Sequence, residues 1–117
     1  MDTYGLNENV GKTTISPNVL HKIACLTTLS VEGVSRMASA KSSAEKLIGK
    51  KEEYKGAKVK IRDGKVFVDI FVVLMSNRNV RDISREIQSR VSRAISQMVG
   101  MQAGGVTIHI KDIDFSA

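Results

Sequence analysis

Lys58-Val59-Lys60-Ile61-Arg62-Asp63-Gly64-Lys65-Val66-Phe67-Val68-Asp69-Ile70-Phe71-Val72-Val73-Leu74 is the stretch whose reading decides the fold. Asp-Gly between two alternating runs is a strong hairpin signal, because a type I′ turn needs positive φ at both central residues. With Asp63 and Gly64 as the turn, Arg62 faces Lys65, Ile61 faces Val66, Val59 faces Val68 and Lys58 faces Asp69. Apolar residues then meet on one face, and a Lys–Asp pair forms on the other. A slip of one residue would send each side chain to the wrong face, so the register is specified. In the second strand Val66, Val68, Ile70, Val72 and Leu74 line one face, while Phe67, Phe71 and Val73 make the other partly apolar. Such a strand is expected at the centre of its sheet or under a partner. Lys58, Lys60 and Arg62 give the first strand a basic outer face, as suits an edge.

Outward from the hairpin, Val80, Ile83, Ile87, Val91, Ala94, Ile95 and Met98 recur at helical spacing and predict a helix from about Val80 to Val99. Asn79 is its expected N-cap and Gly100 its left-handed C-cap. A Met101–Gly105 loop is expected to follow, then a strand from Val106 to Ile110 in which Val106, Ile108 and Ile110 alternate with Thr107, His109 and Lys111. Strand, helix, strand with short links implies a right-handed crossover and parallel pairing.

Toward the N-terminus, Ile15-Ser16-Pro17 opens another helix, with Ser16 as N-cap, Pro17 at the first helical position and Ile15 stapled onto Leu20. Val19, Leu20, Ile23 and Ala24 form its expected buried stripe. Val31-Glu32-Gly33-Val34 ends the helix in a turn and starts a short strand through Met37. Residues 38–56, rich in Ser and Lys, read as a solvated connection with room for a short helix around Ser43–Ile48. Residues 1–14 lack hydrophobic period and read as a flexible tail, leaving 15–117 as one domain. The expected architecture is α+β: a small mixed sheet of three or four strands, with two main helices packed on the Val59/Ile61/Val66/Val68/Ile70/Val72 face.

At 117 residues the chain can bury roughly two-thirds of its unfolded surface. No apolar run approaches the ~20 residues that cross a bilayer, and no signal-peptide pattern opens the chain. Cys25 is the single cysteine, so no intrachain disulfide forms. These features point to the cytoplasm. The net charge of +6 favours anionic partners, at affinities that salt would weaken.

Catalytic chemistry is hard to assemble from this inventory. His21 and His109 are the only histidines. His21 and Cys25, four apart, could share a helix face, but zinc wants three or four ligands and a thiol nucleophile an oriented base. The glycines of Gly100–Gly105 follow a helix and lead into a strand, the reverse of a phosphate cradle. No catalytic residue, cofactor, metal or small-molecule substrate is therefore expected. Two surfaces remain as candidates for binding. One is the anion- or partner-facing surface of Arg78, Arg81, Arg85, Arg90 and Arg93, set against only Asp82 and Glu86. The other is a sheet face of Lys58, Lys60, Phe67, Asp69 and Phe71.

Several fragments, in order and at consistent spacing, resemble the alkaline shock protein family, the Gls-type envelope stress response proteins. They are Ile15-Ser16-Pro17-Asn18-Val19-Leu20, Val31-Glu32-Gly33-Val34, Gly56-Ala57-Lys58-Val59, Asp63-Gly64, Val66 to Val73, Ile87-Gln88, Met98-Val99-Gly100 and Val106 to Ile110. Glu32 stands where the family often has proline, and Ser76-Asn77-Arg78-Asn79 replaces a Tyr-Gly type turn. The resemblance implies a non-enzymatic cytoplasmic protein of cell-envelope homeostasis. It would be a self-associating scaffold or adaptor, brought near the inner face of the membrane by a protein partner. The second reading is a nucleic-acid-binding regulatory module using the basic surface.

Overall fold

Asp63 and Gly64 both take up left-handed backbone, at φ 53° and 75°, and close the hairpin that the sequence predicts. The computed structural model describes residues 15–39 and 56–116. The tail at 1–14 and the connection with its short helix around Ser43–Ile48 fall outside these, apart from the ends of the connection. The elements run α1 (Pro17–Leu29), β1 (Val34–Met37), β2 (Ala57–Arg62), β3 (Lys65–Met75), α2 (Val80–Val99) and β4 (Gln102–Asp114).

Every expected hairpin pair is present, from Arg62↔Lys65 to Lys58↔Asp69, and the ladder continues to Ala57↔Ile70. β3 is the central strand. It pairs antiparallel with β2 along its first half and with β1 at its far end, and parallel with β4 along its other edge. The sheet is thus mixed, and the class is α+β. Phe71 is the junction of the shared edge: its N–H donates to the Gly56 carbonyl and its carbonyl accepts from Ala38 N–H, 2.9 and 2.8 Å.

The helix caps follow from local chemistry. Ser16 Oγ accepts from Asn18 N–H at 3.2 Å, with Pro17 starting α1. Asn79 Oδ1 accepts from Asp82 N–H at 3.1 Å, and Gly100 ends α2 at φ 71°. Both helices lie on the face predicted for them. Leu20, Ala24, Ile83, Ile87, Val91 and Ile95 pack with Val66, Val68, Ile70, Val72 and Leu74 in one core.

Some expectations are corrected. β4 starts at Gln102, not Val106, and continues to Asp114, so the glycines expected in a loop belong to the strand. Val19 is exposed, and Thr28 takes a place in the buried stripe of α1, its hydroxyl donating to the Ala24 carbonyl at 2.7 Å. Ile61 and Met98 are also exposed, while Val99 and Met101 pack against the core at the end of α2.

Candidate functional site

Strand alternation turns Phe67, Asp69, Phe71 and Val73 away from the helices. The two registers then fix their neighbours in rows: Lys60–Phe67–Gly105, Lys58–Asp69–Thr107, and Phe71 beside His109. The predicted sheet-face residues Lys58, Lys60, Phe67, Asp69 and Phe71 therefore do share one surface.

They do not share one role. Phe71 is buried at 9% exposure, whereas Phe67 keeps 36%. Phe71 stacks on the His109 imidazole with ring centres 4.6 Å apart and planes 10° from parallel. Lys58 Nζ stands 6.0 Å from the Phe71 ring centre, the outer reach of a cation–π contact. His109 Nε2 lies 3.0 Å from Asp69 Oδ1, so the ring is held by stacking and by a polar contact at once. Phe67 rests on β4 where Gly104 and Gly105 present only backbone. Sequence reading missed His109, since its place follows only from the parallel register of β3 and β4.

A second polar group clasps the end of the same face. Asp114 of β4 accepts from Ser35 Oγ at 2.8 Å and meets Arg36 Nη1 at 3.4 Å, both residues belonging to β1 across the intervening β3. The hydroxyls of Ser116 and Ser35, the Ser116 N–H and Arg36 all favour the ionised carboxylate. They hold the Asp114 pKa down at about 2.

The arginines divide into two groups. Arg78 forms a fork on Glu32, with Nη2–Oε2 at 3.1 Å and Nη1–Oε1 at 3.3 Å. Arg90 pairs with Glu86 one turn back and donates to the Ser30 carbonyl at 3.4 Å. These two line a groove of about 400 Å³ between the α1–β1 turn and the start of α2. Arg81, Arg85 and Arg93 are exposed and form no ion pair among the described residues.

His21 and Cys25 do meet, with Sγ 3.7 Å from Nε2. Burial pushes the Cys25 thiol pKa up, which is the wrong direction for a nucleophile or metal ligand. Among the described residues no group of three or more His, Cys, Asp or Glu is placed to hold a metal ion. No described helix is long and apolar enough to cross a membrane.

Comparison with known proteins bears on the family and the fold. YqhY of Bacillus subtilis (strain 168), an uncharacterized protein, is 25% identical over 108 residues, spanning 92% of this chain and 80% of that protein. The uncharacterized Spy1535 of Streptococcus pyogenes serotype M6 is 33% identical over 107 residues, spanning 91% and 81%. Among solved structures, a zinc form of the MamM CTD superposes with a TM-score of 0.52 at 8% identity, covering 86% of this chain and 89% of that one. A copper form gives 0.51 at 9% identity with the same coverage. At such identity the likeness is one of fold alone. The family model that matches, over residues 5–115, describes the alkaline shock protein 23 family, of cell envelope-related function.

Proposed function

The chain belongs to the alkaline shock protein 23 family, and from that premise we propose that it is a non-enzymatic, self-associating adaptor in cell-envelope homeostasis. It works in the cytoplasm near the inner face of the membrane, where protein partners bring it. The observation that carries this reading is the sheet face opposite the helices, where half-exposed Phe67 stands among Lys60, Lys58 and Asp69. An exposed aromatic ringed by polar groups is the composition of a protein contact. Both charge signs are present, so a second copy can set lysine against Asp69.

Phe67→Ser is the discriminating variant, because Phe67 keeps 36% exposure while Phe71 is buried under His109. Light scattering after gel filtration, with a thermal melt as control, should show wild-type assembly and a smaller Phe67→Ser species that still melts cooperatively. Equal assembly of the two proteins, or a wild type that stays monomeric at every concentration, would overturn the sheet-face reading. Nucleic acid has less to hold on this face. Bases stack on open rings, but His109 already covers Phe71.

A further inference from the structure

We propose that the solvent face of α2 docks an acidic helix of a partner protein through Arg81, Arg85 and Arg93. Of the five arginines at this helix, Arg78 is engaged by Glu32 and Arg90 by Glu86. The remaining three are exposed and carry no ion pair among the described residues. On a helix turning about 100° per residue, Arg81 and Arg85 stand about 40° apart, with Arg93 about 80° further round. The buried Ile83, Ile87, Val91 and Ile95 lie on the opposite side. Asp82 and Glu86, about 100° and 140° round from Arg81, share the angular sector of Arg93 but lie two to three turns nearer the start of the helix, where both line the groove that holds Arg78 and Arg90.

The chemistry of the face selects the partner. A guanidinium fork matches a carboxylate bidentately, so three forks along ~18 Å of helix suit glutamates repeated on one side of a second helix. Ser89, Ser92 and Ser96 fall between the arginines. Their short side chains let another helix approach to ordinary packing distance. No aromatic or aliphatic residue on this face between Arg81 and Arg93 could enter a lipid headgroup layer, as interfacial helices require. Exposed ion pairs are individually weak, so docking is salt-sensitive and depends on all three. The inference rests on the adaptor reading, for which it supplies the chemistry of the partner.

Fluorescence anisotropy of a labelled alanine-based helical peptide with glutamate at every fourth position tests it on the full chain. Phosphatidylglycerol vesicles and single-stranded RNA serve as competing probes. Arg81→Glu/Arg85→Glu/Arg93→Glu should weaken peptide binding roughly tenfold or more, while Lys58→Glu/Lys60→Glu leaves it near wild type. If the reversed variant fails to melt cooperatively, Arg81→Gln/Arg85→Gln/Arg93→Gln replaces it, with the same loss expected. No peptide binding by wild type at low salt, or equal loss from both surfaces, would overturn the proposal. So would a helix-face change that abolishes vesicle or RNA binding but spares the peptide. Peptide affinity unchanged by Phe67→Ser keeps this outcome separate from that of self-association.

Discussion

The ring of Phe67 occupies the space that a side chain at Gly104 would need: a Cβ there would stand 2.5 Å from Phe67 Cζ and 2.6 Å from its Cε1. Gly104 is the extra residue of a bulge, at which β4 passes from pairing Ala103 with Val66 to pairing Gly105 with Phe67. The glycine is required by the ring, since its backbone is not left-handed. Bulges re-aim side chains at sheet edges. Here the bulge and the missing side chain together let an aromatic of the central strand lie on its neighbour.

Gly104→Ala should therefore destabilise the protein by about 1–3 kcal/mol through overpacking. Combining it with Phe67→Ala should recover part of that loss, because the two changes share one contact and cannot be additive. Urea unfolding of the two single variants and the double variant measures the coupling. Strict additivity would mean that the ring does not sit on Gly104 in solution.

Ile87 and Ile61 were both expected on the buried face, and the structure separates them. Ile87 is fully buried under the sheet, whereas Ile61 is 46% exposed beyond the reach of the helices. Ile87→Ala should cost about 2–5 kcal/mol, the range for a truncated core aliphatic. Ile61→Ala should stay within about 0.5 kcal/mol, as surface changes do. Comparable losses at both positions, measured by denaturant midpoints at constant m-value, would refute the helix placement.

What the sequence made legible was whatever is decided locally. Asp63-Gly64 sets the hairpin register, and Ser16, Asn79 and Gly100 mark helix ends, because caps and tight turns answer to residues a few positions away. The start of β4 was hidden for the opposite reason. Gln102-Ala103-Gly104-Gly105 has weak strand propensity, and its glycines answer to a ring on another strand. His109 gained Phe71 and Asp69 as neighbours only through the parallel register. The arginine surface was visible as a group, but its division into paired and unpaired members depended on Glu32, brought to Arg78 by the turn before β1. Periodicity located the apolar stripes yet placed Val19 and Met98 within them, and both are exposed.

Cys25 should behave as a packing residue. Its thiol pKa is raised by burial, so little thiolate is present at neutral pH and alkylation needs it. Iodoacetamide should modify the folded protein slowly at pH 7, faster as pH rises, and fastest after unfolding in urea. Rapid native-state labelling at neutral pH, followed by mass spectrometry, would contradict the packing of this half-buried side chain beside Gly56.

The Asp114 clasp should make one end of the sheet sensitive to strong acid. Its carboxyl pKa lies at about 2 in the folded chain against an ordinary 3.8, because Ser116, Ser35 and Arg36 favour the ionised form. A depressed pKa contributes stability that is fully present above the unfolded value. As pH falls from near 4 through about 2, the carboxylate takes up its proton and that contribution disappears. The difference in stability between wild type and Asp114→Asn should accordingly be constant above pH 4 and shrink across this window. Carbon-13 titration of the Asp114 carboxyl gives the midpoint directly. A midpoint near the ordinary aspartate value, or a stability difference that persists unchanged at the acid end, would show that β1 and β4 are not joined through this side chain.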